Sequence, residues 1–362
     1  TFDFSTVSGT GKYDRLTIII DNGSPTPGTF LIDDIDDGST PTTPVVDVVY
    51  DNLVWADEFD TDGAVNSTNW HHQTQVIIPG IGWANNEAQH YTNRIDNSFV
   101  SGDYLNIVAK KESFTDQGLT KQYTSARLNS KFAFTYGRVD VRAKIPVEVG
   151  TWPAIWMLGK NINEDGGYWD PNFGTVGWPA CGEIDIMEHG IFPNEGINFV
   201  NSALHTPCCN GGNPNGGGTY TTDLANSYHV YSVNWSPNQM TFLIDDVIFY
   251  TYNPSVKDGD TWPFFEDQFI LLNVAMGGIA GAVDPSLIQT TMSIDYVRVY
   301  QSSGLSNKDF EIADVKVYPN PANSKINISS QFKIDKIDLY DMLGKLILTN
   351  KSESNVIDVS AI

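Results

Sequence analysis

The sequence predicts an all-β protein built around an antiparallel sandwich with a concave face. Residues 137–145 alternate strictly between apolar and charged side chains, as a strand with one buried face does. Residues 240–252 fit a hairpin that turns at Asp245 and Asp246. Residues 269–276 are apolar except for Asn273 and are followed by two glycines, which predicts a fully buried strand. Because long segments of helical period are absent between residues 50 and 303, an antiparallel sandwich follows, and a curved one offers room for a polymer.

Composition divides the chain into several parts. Two strand-like runs joined by a Gly/Pro turn predict the remnant of an N-terminal β-sandwich module of a carbohydrate-binding kind, too short to bury a core alone. A Thr/Pro-rich linker follows it, and a second linker precedes the C-terminal module. Because the chain begins without Met or a signal peptide, we interpret it as part of a longer precursor. The predicted boundaries are 1–36 for the remnant, 37–49 for the first linker, 50–303 for the main domain, 304–312 for the second linker and 313–362 for the C-terminal module.

The charge balance restricts the partners. The net charge is -23, from 44 acidic against 21 basic residues, which argues against nucleic acid or an anionic membrane surface. No apolar stretch reaches the eighteen or so residues that a membrane span needs. Aromatic residues make up 12% of the chain, with nine Trp, and this suits a protein that stacks on sugar rings as well as packing a core.

Three carboxylates lie close together in the run Glu183-Ile184-Asp185-Ile186-Met187-Glu188. Side chains of a regular strand alternate, so Glu183 and Asp185 share one face while Glu188 points to the other. A β-bulge near Ile186 and Met187 would return Glu188 to the face of Glu183. Two acids that face each other across a bound sugar are what glycoside hydrolysis requires. The alternative is a solvated edge strand with ordinary surface acids.

Other catalytic signatures are missing. The sequence has no HExxH zinc helix, no GxSxG elbow and no P-loop. The glycine-rich residues 211–218 follow no strand-to-helix switch, so we expect a flexible loop there and not a phosphate cradle. Hydrolysis by carboxylates is therefore the chemistry that the sequence supports.

Aromatic and polar residues are distributed as a sugar cleft needs. Trp152 and Trp156 are four positions apart on a predicted strand with the small Ala154 between them, which predicts a stacking platform, although two core tryptophans would show the same spacing. Further substrate-binding candidates are the hydrogen-bonding side chains of Asn86, Arg127 and His205, and Trp178 and Trp262 in loop-like contexts.

The three cysteines cannot all pair within the chain. A bridge from Cys181 to Cys208 or Cys209 would tie the glycine-rich loop to the carboxylate strand in an oxidising compartment. Free thiols packed near the cleft are the alternative, and no spacing among the three suits a zinc site.

Residues 53–300 resemble a complete catalytic domain of glycoside hydrolase family 16, the laminarinase group. The resemblance rests on the order and spacing of the landmarks at 86–92, 124–131, 136–139, 150–158 and 182–188. It implies a concanavalin-like β-jelly-roll sandwich and endo-hydrolysis of β-glucans or galactans with retention of configuration. The form EIDIME, with its extra residue, is that of laminarinase-like members and favours β-1,3-glucan. Mixed-linkage β-1,3-1,4-glucanase, a galactanase or agarase, and a non-catalytic glucan-binding protein are the alternatives.

The resemblance also implies roles for individual residues. Glu183 matches the nucleophile, Glu188 the acid/base, and Asp185 the residue between them that tunes their protonation. Asn86, Arg127, Trp152, Trp156 and His205 match positions that line the cleft. The family needs no cofactor for catalysis, and we expect a monomer. Many members bind a structural calcium ion through a residue that matches Asp295 and oxygens near Glu58 and Gly102.

Two segments extend this picture. Residues 161–179 are inserted between the tryptophan strand and the carboxylate strand, and we expect them to form a loop beside the cleft. Residues 315–322 and 337–345 resemble the type A sorting domain of the type IX secretion system of Bacteroidota, in a copy that lacks the final strands of that family. The resemblance implies a secreted or cell-surface protein that is recognised by the secretion machinery.

Overall fold

The computed structural model describes residues 46–302 and, in the C-terminal part, residues 316–318, 324–329, 337–340, 346–350 and 356–360. The predicted N-terminal module, most of the first linker and the second linker lie outside these residues. In the described main domain, strands are accompanied by one four-residue helix, α1 (Asp170–Phe173), and two single 3-10 turns, Ala84–Asn86 and Gly278–Ala280. This confirms the all-β prediction. The strands are β1 (Asn52–Asp57), β2 (Trp70–His72), β3 (Gln89–Tyr91), β4 (Ser98–Val100), β5 (Leu105–Asp116), β6 (Leu119–Ser125), β7 (Arg127–Phe134), β8 (Gly137–Lys144), β9 (Thr151–Gly159), β10 (Glu183–Glu188), β11 (Phe199–His205), β12 (Asn215–Tyr220), β13 (His229–Trp235), β14 (Met240–Ile244), β15 (Val247–Tyr252), β16 (Gln268–Met276) and β17 (Gln289–Gln301).

The strands form two large sheets. One has the order β15-β14-β13-β8-β17-β5-β6-β3, with β1 added beside β17 and β4 beside β5. The other has seven strands in the order β12-β11-β10-β9-β16-β7-β2. Strand pairing is antiparallel throughout these sheets, except that β3 runs parallel to β6. The predicted antiparallel sandwich, with the jelly-roll architecture, is confirmed.

The main core lies between the two sheets. Strand β8 alternates as predicted, and its Val139, Val141 and Ala143 are buried while the charged residues between them are not. From the seven-stranded sheet, Ile184 and Leu272 enter the same apolar cluster. Burying one such side chain stabilises the fold by roughly 1.5–3 kcal/mol, so this core fixes which face of each strand points outward. We call the face of the seven-stranded sheet that points away from the core the outer face.

Two local predictions are confirmed by the backbone. Asp245 and Asp246 join β14 to β15 with φ values of 50° and 63°. A type I′ turn in a two-residue hairpin requires positive φ at both positions. Strand β16 is buried at all nine positions and ends at Gly277, whose φ of 73° suits glycine.

The prediction of a flexible loop at residues 211–218 is wrong for its second half. Residues from Asn215 onward form β12, which pairs with β11 and is the last strand of the seven-stranded sheet. The glycines are needed because the chain passes close to its neighbours. A Cβ atom on Gly216 would lie 2.6 Å from the carbonyl oxygen of Ser202, and one on Gly218 would lie 2.1 Å from the Phe199 ring. Close approach, and not flexibility, explains this composition.

The inserted residues 161–179 pack onto one end of the outer face. A second apolar cluster forms there, with Leu158, Phe269 and Leu271 from the sheet covered by Ile162 of the insertion. Trp169 and Val176 pack against it. The insertion therefore lies beside the region of the carboxylates, as expected. All three cysteines are free, which answers the open question of pairing in favour of thiols.

The described residues of the C-terminal module are strands as well. β18 (Lys316–Tyr318), β19 (Lys325–Ser329) and β22 (Val356–Asp358) form one sheet, and β20 (Ile337–Tyr340) pairs with β21 (Leu346–Asn350). This agrees with a small β module. Among the described residues, no helix is both long and apolar enough to cross a membrane.

Candidate active site

Strand β10 contains the predicted β-bulge. Against β9, Asp185 pairs with Trp156 and Met187 already pairs with Ile155, so one residue of β10 has no partner. The register against β11 shifts in the same segment. The isoleucines and Met187 of β10 enter the main core, while Glu183, Asp185 and Glu188 make their contacts on the outer face. The bulge thus brings three carboxylates to one face of the sheet.

Each glutamate accepts hydrogen bonds from side chains that neighbouring segments supply. Trp178, from the insertion, donates its Nε1–H to Glu183 Oε2 at 3.0 Å. Trp152 of β9 donates its Nε1–H to Glu188 Oε1 at 2.9 Å, and Asn201 of β11 donates from Nδ2 to Glu188 Oε2 at 3.0 Å. Both glutamates are therefore held in fixed orientations on the strand.

His205 of β11 faces two of the carboxylates. Its Nε2 lies 3.5 Å from Glu183 Oε1 and 3.3 Å from Asp185 Oδ2. The backbone N–H of Gly211 donates to Nδ1 at 3.1 Å, so Nδ1 accepts and Nε2 carries the proton toward the carboxylates. These three side chains are also the one group of possible metal ligands found among the described residues. A proton on Nε2 suits a hydrogen bond to a carboxylate and prevents that nitrogen from binding a metal.

Burial raises the pKa of all three carboxyl groups. The pKa of Glu183 is raised well above its usual value by loss of solvent and then by the charge of Asp185, and His205 offsets part of this effect. The pKa of Asp185 is raised by burial and by the charge of Glu188. Burial also raises the pKa of Glu188, against the opposing hydrogen bonds from Trp152 and Asn201. Three negative charges are therefore unfavourable here, and the cluster can hold a proton that is available for transfer.

The two predicted tryptophans lie on the outer face of β9. Both are half-buried, and Ala154 lies between them, as a platform for a sugar ring requires. Trp156 donates its Nε1–H to Asn273 Oδ1 at 2.7 Å, and Asn273 in turn donates to the hydroxyl of Tyr91 at 3.1 Å. The orientation of the second indole is thus fixed from the adjacent strand.

Arg127 and Asn86 differ in their exposure. Arg127 is 6% exposed, its guanidinium lies 4.8 Å from the centre of the Trp156 ring, and it forms an ion pair with Glu164 of the insertion. The structure therefore places Arg127 against the Trp156 ring of the platform. Asn86 is exposed in the turn Ala84–Asn86 with a φ of 58°, and it is accessible to a ligand. Trp178 is 47% exposed beside Glu183.

The prediction that Trp262 contacts substrate is wrong. Its side chain is fully buried, stacked on Tyr252 with ring centres 5.8 Å apart and packed edge-on against Phe264. The surrounding polar residues suggested an exposed loop. The chain after β15 instead folds this ring into the main core, where a sugar cannot reach it.

Two amides in the site were not identified from the sequence. Asn201 holds Glu188, and Asn273 holds Trp156. A signal was present for Asn273, because it is a polar residue in the middle of the apolar run of β16. Buried amides are retained where they have partners, so its position pointed to a hydrogen-bonded site.

The expected calcium ligands are close in the fold but largely engaged. Glu58 accepts two hydrogen bonds of 2.8 Å from Arg298, and Asp295 pairs with Arg142 through Oδ2. Residue 295 lies on β17. The strand pairing places the end of β1 just after it along β17, and the start of β5, which follows the turn with Gly102, just before it. The donors left for a cation are the other carboxylate oxygen of Asp295 and backbone carbonyls, a set of hard oxygens that fits calcium.

Comparison with known proteins places the chain among polysaccharide hydrolases. The family model described as glycosyl hydrolases family 16 matches residues 85–298. A second model, the secretion system C-terminal sorting domain, matches residues 316–362.

Individual relatives agree with this result. A beta-glucanase of Rhodothermus marinus is 36% identical over 263 residues, which span 69% of this chain and 85% of that protein. Glucan endo-1,3-beta-glucosidase A1 of Niallia circulans is 35% identical over 308 residues, or 79% of this chain and 42% of that protein. The solved structure of LamAcat from Zobellia galactanivorans is 44% identical with a TM-score of 0.64, and the match covers 70% of this chain and 98% of that one.

Proposed function

Because the chain belongs to glycosyl hydrolases family 16, we propose that it cleaves internal bonds of β-1,3-glucan with retention of configuration. The observation that carries this proposal is the bulge in β10, which brings Glu183 and Glu188 to one face with Asp185 between them. The β-1,3 linkage is supported by the similarity to a named endo-1,3-beta-glucosidase.

In the first step, a carboxylate oxygen of Glu183 attacks the anomeric carbon of the bound sugar. Glu188 gives its proton to the glycosidic oxygen as the bond between that oxygen and the anomeric carbon breaks. The leaving chain departs with a hydroxyl group, and the remaining sugar is held as an ester on Glu183. Retaining enzymes place two such carboxyl groups about 5–5.5 Å apart.

In the second step, water attacks the anomeric carbon of the ester. Glu188, now ionised, accepts a proton from this water, and the bond to Glu183 breaks. The product keeps its original configuration because the anomeric carbon has been inverted twice. Both glutamates are then back in their starting states.

The neighbouring side chains act on the protonation states that these steps need. Trp178 and His205 lower the pKa of Glu183, against the larger rise that burial and the charge of Asp185 cause. Asp185 is buried beside Glu188, and its charge makes loss of the proton from the cluster less favourable. Asp185 is therefore a positioning residue that sets where the proton resides.

Substrate binding is assigned to the platform of Trp152 and Trp156 and to the polar side chains of Asn86 and His205. Mixed-linkage glucan and galactan are the competing substrates. A panel of laminarin, lichenan, barley glucan and agarose, with sizing of the products, tests the assignment. Cleavage of laminarin into short oligosaccharides is expected to dominate, and dominant cleavage of agarose would overturn the specificity.

The roles of the two glutamates are separable with azide. Glu183→Gln is expected to abolish turnover while polymer binding remains. Glu188→Ala is expected to reduce turnover by about 10²–10⁴-fold, the usual contribution of a general acid/base. With an activated aryl glycoside, azide should rescue Glu188→Ala to a β-glycosyl azide and Glu183→Ala to an α-glycosyl azide. The opposite pair of products would reverse the roles.

A non-catalytic glucan-binding protein is the second candidate. Such proteins keep the sandwich and the cleft, but their usual mark is loss of a catalytic carboxylate. Glu183, Asp185 and Glu188 are all present here. A reducing-sugar assay on laminarin separates the two, since binding alone releases no reducing ends.

Calcium is proposed as a structural ion only. It would be held by the free carboxylate oxygen of Asp295 and by backbone carbonyls near Glu58 and Gly102, far in sequence from β10. We expect EDTA to lower the thermal unfolding temperature of the wild type and added calcium to restore it. In Asp295→Asn this response should be weak. An EDTA response that is equal in both proteins would remove Asp295 from the site.

The C-terminal match to a secretion sorting domain makes this a secreted or cell-surface enzyme. We propose the type IX secretion machinery as the partner of this module, and a monomer as the working state. Fusion of residues 303–362 to a reporter in a Bacteroidota host tests the first point, since a sorting signal should carry the reporter outside the cell.

A further inference from the structure

A small cavity opens beside Glu188, where β9 begins and β10 ends. Its volume is about 120 Å³, and its walls come from residues 147–150, residues 189–197 and the start of β11. Asn201 is among the lining residues, and the same side chain donates the hydrogen bond to Glu188. The cavity is therefore one side chain away from the acid/base group.

Two side chains that line this cavity each carry a buried polar atom with no hydrogen-bond partner among the described residues. These atoms are Asn201 Oδ1 and His189 Nδ1, on side chains that are 6% and 4% exposed. His189 Nε2 lies 3.0 Å from the carbonyl oxygen of Ile197, so Nε2 carries the proton and Nδ1 is an acceptor. Burial lowers the pKa of His189, which keeps the ring neutral. Both free atoms are thus acceptors that need a donor.

The remaining walls are mostly apolar, with the carboxylate of Glu148 as the charged exception. Phe192 and Phe199 pack edge to face with ring centres 5.6 Å apart, and Val149 and Ile197 stand at the rim with 69% and 56% of their surfaces exposed. A largely apolar wall with acceptors, one carboxylate and no cation suits a neutral group that has both C–H faces and hydroxyl donors. A sugar has this combination.

Size and position decide which part of a sugar chain enters. The volume corresponds to roughly four water molecules, which is enough for part of one pyranose ring and too small for a chain segment. The tryptophan platform lies across the neighbouring strand, whereas the cavity lies at the strand ends. A polymer that crosses the strands would therefore present only a side group to it.

We propose that this cavity binds a single-glucose branch carried by the sugar next to the scissile bond, with branch hydroxyls donating to Asn201 Oδ1 and His189 Nδ1. This rests on the proposed hydrolysis of β-1,3-glucan and names the substrate more closely. Branched glucan would be cut beside its branches, and the branch would stay on a terminal sugar of the product.

Two variants test the cavity independently. Val149→Trp fills its mouth from an exposed position, and His189→Phe removes one acceptor with little change of volume. Val247→Trp is the matched control, because Val247 is equally exposed at 68% but lies on β15. Each protein is assayed on linear β-1,3-oligosaccharides and on a β-1,3-glucan with single β-1,6-linked glucose branches.

Both cavity variants should keep kcat/KM on the linear substrate and lose about tenfold on the branched one, as expected for one lost hydrogen bond or a blocked subsite. Products with a branch on the terminal sugar should disappear with them. Unchanged ratios in both variants would mean that the cavity holds only water. A loss in Val149→Trp alone would overturn hydroxyl recognition by His189. Failure of the wild type on the linear substrate would instead overturn the proposed function.

Discussion

At the scale of single residues, Asp185 is a carboxylate whose surroundings disfavour its negative charge. It is 4% exposed, and its Oδ2 faces His205, whose Nε2 lies 3.3 Å away. Burial and the charge of Glu188 raise its pKa well above the usual 3.8. An acid with a raised pKa binds protons more strongly in the folded state, so its charge costs stability as the pH rises above about 4.

Asp185→Asn is therefore expected to stabilise the protein and to slow it. The free energy of unfolding should rise at pH 8, because the folded protein no longer carries this unfavourable buried charge. The gain should vanish below the usual aspartate pKa, at about pH 3, where the aspartate is protonated in both states. Urea titrations at both pH values measure this. A gain of equal size at the lower pH would show that charge is not the cause.

Trp178 is one of the groups that lower the pKa of Glu183, against the larger effects of burial and Asp185. Its hydrogen bond lowers the pKa of that carboxyl against burial, so Trp178→Phe should raise it. Since the nucleophile must be ionised, the acid limb of the kcat/KM profile should move to higher pH when this hydrogen bond is lost. Trp169→Phe is the control, because that indole donates to the carbonyl oxygen of Ser130. A shift in both variants would point to a general effect of the insertion.

At this scale, the sequence predicted side chains that obey local periodicity and failed where tertiary packing decides. The parity conflict in EIDIME predicted the bulge, because strand alternation is a local property. Trp262 was misplaced because its exposure depends on where the following loop packs. Asn201 gave no local signal, since its partner Glu188 lies on another strand.

At the scale of elements, the insertion at residues 161–179 is attached to the sheet through one buried ion pair. Glu164 accepts from Arg127, whose side chain is 7% exposed, and from Gln73 of the neighbouring segment. Arg127 lies over Trp156, so the insertion and the platform are connected. Removal of one partner from a buried pair leaves the other charge uncompensated.

Glu164→Gln is expected to lower the free energy of unfolding by about 2–4 kcal/mol and to raise KM for long substrates. The physical reason is that Arg127 loses its counterion in a poorly solvated place. The neighbouring, exposed Asp165→Asn serves as the control and should change neither quantity. If Glu164→Gln were as stable as that control, the pair would not anchor the insertion.

At this scale the sequence also predicted the hairpin of β14 and β15 and the buried strand β16, because both combine strong strand patterns with turn residues. It did not predict β12. A run of Asn and Gly has low strand propensity, and here the requirement is close passage beside Ser202 and Phe199, which only the assembled sheet reveals.

At the scale of the whole molecule, the catalytic sheets are complete without the flanking parts. Strands β1 to β17 lie between residues 52 and 301 and form both sheets, and the members of the main core all lie within the same range. The match to LamAcat covers 98% of that chain and 70% of this one. The structure of a chain about as long as this domain has therefore been solved.

A chain of residues 46–302 is therefore expected to fold and to hydrolyse laminarin at the rate of the full chain, within about twofold. The physical reason is that no core residue of the sandwich is lost. Differential scanning calorimetry should show its main transition within about 4 °C of that in residues 1–362, a difference of less than ~1 kcal/mol. A larger drop would mean that the flanking parts contribute to the sandwich.

The glycines of β12 affect how readily the secreted protein aggregates. This strand ends the order of its sheet and, among the described residues, is paired within that sheet only with β11. An unpaired strand edge can recruit another copy of the same chain and begin a fibre. An edge of Asn and Gly is a poor template for such recruitment, since these residues add little to a growing β ladder. This edge therefore lowers the tendency to aggregate of an enzyme that works outside the cell, where intracellular chaperones do not act on it.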